Sequence, residues 1–474
     1  MRDPISERPF LSTDVTRRRR SLADPGFGWR FLLPLCIGVS LNPINSTMIA
    51  TALATIGRDL KVGANDTIWL VSVMYVFSSI GQPIAGRLAD RYGPRRVLLA
   101  GSVMVLLTGA GGIFAANMGQ LIVLRALVGI GTGAIYPAAM AIVRERARRL
   151  DLPTPTRVLA LMGTASLTTL TIGPPLAGAL VEYVSWRAIF VVNLPLALIA
   201  LTMIVIWVDK DAPREPGGGV RGLDLPGMSL FAGALGSLLI FLMTMSTPKW
   251  WVLGLSLAFF VAMVLLERRT SLPFIDVRGI GGNIPLMLTL LRFVLVFTVV
   301  YGVMFGLSQW LEDARGLSPS GVGVVLLIQS GIGALLALYA GRITSIGGPV
   351  LIGVSAMLVG SVMIFLATSQ SPLWYFGAIA VVFAIPSGPT FVANQMAVYE
   401  QTPAEHIGSV SGLSRTCQFL GALISAGLIA LFFGTHPTDD GLHDLAIVMF
   451  GCAVALIVIT VADRSVWRGA TRTR

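Results

Sequence analysis

Charge is what this chain has least of. Only 12% of its 474 residues are Asp, Glu, Lys or Arg, about half the roughly 25% usual in soluble domains. Acid is scarcer than base, with 24 carboxylates against 35 cationic side chains and a net charge of +11. Cysteine is nearly absent: Cys36, Cys417 and Cys452 lie in apolar runs without metal-ligand spacing, so buried reduced thiols are expected. No phosphate-binding Walker loop, metal-ligand spacing or nucleophile triad occurs. That removes the usual enzyme classes and leaves no cofactor to expect. The basic excess does not form a nucleic-acid surface either. Residues 17–20 (RRRR), Arg144, Arg146, Arg148 and Arg149 fall between apolar runs, not along one amphipathic face.

Apolar residues are abundant, at 54%, with a mean hydropathy of +0.79. Runs longer than about 18 residues recur along the chain, each able to cross a bilayer of roughly 30 Å as a helix. Most lack the polar face that water demands. The chain therefore reads as an all-α polytopic membrane protein. Spans are predicted at 31–54, 67–88, 97–116, 118–143, 157–181 and 185–207, then 225–246 and 250–266. Six more follow at 285–310, 318–341, 348–368, 373–397, 407–433 and 443–462. This gives a tail (1–30), a six-helix bundle (31–207), a linker carrying two extra helices (208–284), a second six-helix bundle (285–463) and a tail (464–474). The polar N-terminus shows no cleavage pattern, so the first span is expected to stay.

Basic loops stay cytoplasmic. With fourteen spans and both termini inside, only Arg58, Lys61, Arg187, Lys249 and Arg315 fall outside, and only Arg125, Arg292 and Arg415 within the membrane. An odd number of spans would put a basic tail on the wrong side. AGRLADRYGP (85–94) and AGRITSIGGP (340–349) align without a gap, each at the cytoplasmic end of an even-numbered span. Repeats of this kind place substrate near the midplane between them.

In GRLADRYGPRR (86–96), Gly86 and Gly93 permit a tight turn. Asp90 can face the positive end of a helix starting near Ile407–Gly408, and Arg87, Arg91, Arg95 and Arg96 hold the loop at the surface. This Gly, Asp, Arg, Gly, Arg, Arg order resembles the signature loop of the major facilitator superfamily. LIVLRALVGIGTGA (121–134), with Arg125 inside the fourth span, resembles that family's second motif. SWRAIFVVNLP (185–195), LDLPG (223–227) and PFIDVR (273–278) point to its fourteen-helix drug:proton antiporter branch. TIGPPLAGAL (171–180) keeps the Gly173–Pro174 pair and Gly178 of the antiporter motif, but Ala160, Thr169 and Ala177 stand where the family has glycines.

The resemblance implies a major facilitator fold of two six-helix bundles and two inserted helices. It implies a monomeric multidrug-type efflux transporter in a bacterial cytoplasmic membrane, working by alternating access. Amphiphilic small molecules or lipids would be its substrates, and a proton gradient its energy source. The 86–96 loop would be the cytoplasmic gate. Asn45, Arg125, Gly173 and Pro174 would serve conformational change and coupling, with Asn45 standing where the family often has aspartate.

No carboxylate falls near a span centre. The candidates for proton binding are therefore the external-end residues Asp66, Glu182, Glu312 and Asp313. Arg292 and Arg415 are expected about eight residues in from the cytoplasmic end, roughly 12 Å deep, with no midplane carboxylate to neutralise them. They either bond helix carbonyls and snorkel, or line a cavity that attracts anions. Other cavity candidates are Asn42, Asn45, Thr47, Gln309, Gln329, Asn394, Gln395 and Gln418. Alternatives to the exporter are a translocator of anionic lipids or organic anions without proton coupling, and a non-transporting sensor on the same scaffold.

Overall fold

The computed structural model describes residues 27–150, 156–211, 224–270, 281–340, 345–402 and 407–468, and among them there are helices and no strands. Fourteen helices are long and apolar enough to cross a membrane. They are α1 (Trp29–Thr51), α2 (Ala64–Ala89), α3 (Pro94–Ile113), α4 (Met118–Arg149), α5 (Leu161–Tyr183), α6 (Ala188–Trp207), α7 (Leu225–Met243) and α8 (Trp250–Glu267), then α9 (Ile284–Asp313), α10 (Pro319–Ala337), α11 (Gly347–Phe365), α12 (Leu373–Val398), α13 (Gly412–Phe433) and α14 (Asp439–Ala462). These agree with the fourteen predicted spans to within a few residues at most ends. Large apolar side chains such as Leu107, Ile206, Leu257, Leu335, Ile352 and Val458 stand exposed along them. Water would penalise such a belt, whereas lipid does not.

Packing repeats with an offset of eight helices. In the first bundle α2 packs on α4, α3 on α6 and α1 on α5; in the second, α10 packs on α12, α11 on α14 and α9 on α13. The two bundles meet along α5–α10 and α2–α13. The inserted helix α7 lies against both α2 and α13, and α8 packs on α7. Ser72 of α2 donates to the Met243 sulfur at 3.6 Å, and a Cβ on Gly427 of α13 would lie 2.9 Å from Leu242.

The α5–α10 contact is close because the antiporter-motif residues sit in it. A Cβ on Gly323 would lie 2.9 Å from the Pro174 carbonyl oxygen, and one on Gly178 would lie 2.5 Å from that of Pro319. Both neighbours are backbone and cannot yield, so glycine is required there. A Cβ on Gly173 would clash with the Thr47 hydroxyl of α1. Small residues thus let α5 approach two helices at once.

Arg95 and Arg96 mark the basic end of the bundles, and the far end lies opposite.

Candidate functional site

Residues 41–51 (LNPINSTMIAT) form the last turns of α1, and all but Asn42 are buried. Pro43 interrupts the helical ladder, and hydroxyls take up acceptors near it: Ser46 donates to the Asn42 carbonyl at 2.7 Å and Thr47 to the Pro43 carbonyl at 3.0 Å. Asn45 is 6% exposed and makes a reciprocal amide pair with Asn193 of α6, at 2.7 and 3.0 Å. Sequence reasoning placed Asn45 in the substrate cavity. Its side chain instead joins α1 to α6, which spares two buried amides the cost of going unpaired. Asn42 is half-buried and donates to Thr132 of α4 at 2.9 Å.

The three intramembrane arginines have three different environments. Arg125 is 2% exposed, and it donates to the Leu70 carbonyl of α2 at 2.9 Å and the Asn45 carbonyl of α1 at 3.2 Å. It ties α1, α2 and α4 together through backbone, as a partnered arginine should. Arg292 is fully buried and forms an ion pair with Asp463 at 3.1 Å, also bonding Thr289 at 2.5 Å. The expectation that no carboxylate neutralises it is corrected. Asp463 closes the end of α14, and Arg292 reaches it as α9 and α14 pack together. Thr289 then donates to Gln401, which donates to Ser465. Arg292 therefore belongs to a structural network at the basic end of the second bundle, not to a cavity wall. Arg415 is different: it is half-buried, and its guanidinium sits 5.3 Å over the ring of Tyr136, a residue of α4 in the other bundle.

The far end is where the two bundles are sealed. Glu312 is 4% exposed and accepts from Thr55 at 2.6 Å and from Arg58, both on the short helix Leu53–Leu60 that follows α1. A peripheral carboxylate was expected, but the helix after α1 folds over it. Ser308 donates to the Ala50 carbonyl at 3.2 Å. The first amides of α2, on Ala64 and Asn65, donate to the Thr435 and Gly434 carbonyls at 3.1 and 2.8 Å. These helix-end donors would otherwise lack partners. Glu182 accepts from the Ser320 amide at 3.0 Å at the start of α10. Gln309, expected in the cavity, is 1% exposed within this seal and donates to Thr67 at 3.5 Å. Asp66 and Asp313 are exposed, and Asp313 borders a cavity of about 370 Å³ with Arg58, Lys61 and His436. Beside the seal, Trp186 and Arg187 both donate to Asp59, at 2.8 and 3.2 Å, and hold its carboxyl below the usual carboxylate range.

At the basic end, Gly93 adopts φ +102° and turns the chain from α2 into α3. The Asp211 carboxylate accepts from the Arg95 and Arg96 amides at 3.0 and 3.1 Å. It caps α3 from a position well along the chain, just beyond α6. Arg91 stacks on Tyr92 and Arg95 donates to the Val205 carbonyl at 3.0 Å. The Gly86 and Arg87 region forms the last turns of the helix Trp69–Tyr92. The Asp90 side chain, with its expected partner at the start of the helix near 407, lies outside the described residues, as does most of the second loop at 341–344.

Four polar residues from the cavity set remain. Gln329 is 6% exposed, Gln395 half-buried, and Gln418 and Asn394 are 3% and 0% exposed. Neither amide atom of Asn394 nor the Gln418 nitrogen has a hydrogen-bond partner among the described residues.

Paired helices related by an eight-helix offset, a sealed end and a polar contact between two bundles define a membrane transporter of two pseudo-equivalent halves. Residues 35–426 match the Major Facilitator Superfamily, and the chain belongs to it. The MFS-type transporter YwoD of Bacillus subtilis is 30% identical, over 93% of this chain and 98% of that protein. The multidrug efflux pump LfrA of Mycolicibacterium smegmatis is 26% identical, over 89% and 84%. Among solved structures, the peptide transporter POT shares the fold with a TM-score of 0.69 at 14% identity, over 93% and 97% of the two chains.

Proposed function

We propose that the protein is a secondary active exporter that takes amphiphilic small molecules from the cytoplasmic side of a bacterial inner membrane. The observation that carries this is the asymmetry between the two ends. Thr55, Arg58 and Glu312 lock the bundles together at the far end, while Tyr136 and Arg415, which face each other across the bundles nearer the basic end, stay partly exposed. With the basic loops cytoplasmic, this is the inward-facing half of an alternating-access cycle, and both termini lie inside.

Proton coupling needs a carboxylate whose surroundings change as the bundles rock. Of Asp66, Glu182, Glu312 and Asp313, Glu312 is the buried one, and its partners all come from the opposite bundle. It is our candidate for the proton site. The proton gradient would supply the energy, no cofactor is needed, and a monomer contains the whole arrangement.

The test is transport in proteoliposomes under an imposed pH gradient, with cationic dyes compared against anionic amphiphiles. Gradient-driven movement of either class supports an antiporter. Movement that ignores the gradient leaves a translocator of lipids or organic anions, the reading favoured by Arg415, which pairs with no carboxylate among the described residues.

A further inference from the structure

We infer that the site between the bundles is built for an aromatic organic anion, which Arg415 holds by charge while flanking rings hold the aromatic body. This rests on the exporter reading and names the substrate class for it.

Among the described residues no carboxylate pairs with Arg415, whereas Arg292 has Asp463 and Arg125 has two backbone carbonyls. Its stacking on Tyr136 orients a guanidinium without neutralising it. A charge at membrane depth with no counter-ion is the natural partner for a ligand that brings one. Aromatic rings converge around it. Phe419 lies four residues on, on the same face of α13, and packs 5.1 Å from Tyr75 of α2. Tyr75 also lies 5.2 Å from Tyr301 of α9, which stacks on Phe305 at 5.4 Å with an interplanar angle of 6°. Tyr301 is close enough to Arg415 to interact with it electrostatically.

The rings come from both bundles, so the cluster forms a floor between the half-exposed Arg415 and the far-end seal. Tyr136 and Tyr301 are themselves partly exposed, which leaves ring surface for a ligand to stack on. The buried amides of Gln418 and Asn394 leave hydrogen-bonding capacity unused nearby on α13 and α12. On the first bundle, Asn42 and Thr132 add neutral polar groups one turn from Tyr136. A carboxylate or sulfonate attached to a planar ring fits both halves of this site. An aliphatic anion uses only one, and a cation meets an uncompensated guanidinium.

The experiment is equilibrium binding to the full chain in nanodiscs, with empty nanodiscs subtracted. The probes are 2-naphthoate, neutral 2-naphthamide, octanoate and ethidium. Naphthoate should bind at least tenfold more tightly than naphthamide or octanoate. Arg415→Gln should bring naphthoate to within threefold of naphthamide, and Arg415→Lys should keep most of the preference. Phe419→Leu should lower naphthoate affinity while sparing octanoate. Equal binding of naphthoate and naphthamide to the natural chain would overturn the assignment, as would ethidium binding more tightly than naphthoate. An intact naphthoate preference in folded Arg415→Gln would do the same. Ethidium export without naphthoate binding would sink this site and leave the exporter standing. Naphthoate binding without any transport would do the reverse.

Discussion

The pairing of Arg58 with Glu312 joins two unlike partners, and the inequality makes a sharp prediction. The Glu312 side chain is 2% exposed and that of Arg58 58%. Removing the cation strands a buried carboxylate, whereas removing the carboxylate releases a guanidinium that water already reaches. Breaking a fully buried pair by deleting one partner costs about 3–5 kcal/mol. Here the exposure of Arg58 and the remaining Thr55 hydroxyl bond reduce that, so Arg58→Gln should weaken the far-end seal by about 2 kcal/mol. At 1.4 kcal/mol per factor of ten, this moves the equilibrium between far-closed and far-open forms by about 30-fold.

Glu312→Gln keeps an acceptor of the same shape for Thr55, and its effect should stay under about 1 kcal/mol. The double variant should resemble Glu312→Gln, because no buried charge is left stranded. Spin labels at Lys61 and Asp440, exposed positions on opposite bundles at the far end, would report the two populations by pulsed distance measurement after the native cysteines are replaced. Equal shifts in the two single variants would refute the reasoning, and so would a double variant as open as Arg58→Gln.

Four further outcomes follow from contacts described above. Arg292→Met or Asp463→Asn alone should destabilise the second bundle by about 3–5 kcal/mol, and Arg292→Met with Asp463→Leu should recover most of it, read by thermal unfolding in detergent. Asn45→Ala should cost about 1–3 kcal/mol by leaving the Asn193 amide unpartnered, and Asn45→Leu with Asn193→Leu should cost less. Gly178→Val should push α5 from the Pro319 backbone and raise the far-open population with the same spin labels, since its Cβ would come within 2.5 Å of a carbonyl oxygen. Asp211→Ala should remove about 1 kcal/mol of capping from α3 and speed hydrogen exchange at the Arg95 and Arg96 amides without altering the far end.

The helices and their repeat were readable because hydropathy is a property of position along the chain. An eight-helix offset in hydropathy and in the repeated loops at 85–94 and 340–349 needs no knowledge of how each helix turns about its axis. Partners do. Asn45 was recognisable as a polar residue at depth, but nothing local says that α6 brings Asn193 to it. Arg292 looked stranded for the same reason: its carboxylate lies at the opposite end of the second bundle's sequence, just past the predicted last span. Glu312 looked peripheral because its cover comes from Leu53–Leu60, a helix too short and polar to register as a span. Asp211 carried no recognisable signal as a cap, since it acts on a helix that begins far upstream. The depth of Arg125, inside the fourth predicted span, was readable because it is a matter of residue count alone.

The placement of α7 makes the molecule lopsided in a way that bears on leakage. The α5–α10 flank is held by glycine-mediated backbone contact, so it acts as the stiff side about which the bundles can pivot. The α2–α13 flank must then gape more, and it is the one that α7 overlies. With Phe241, Leu242 and Met243 packed there, a widening gap draws in hydrocarbon instead of water. In the proposed rocking cycle the inserted pair would act as an insulating strip, keeping ions from bypassing the central path while the bundles move.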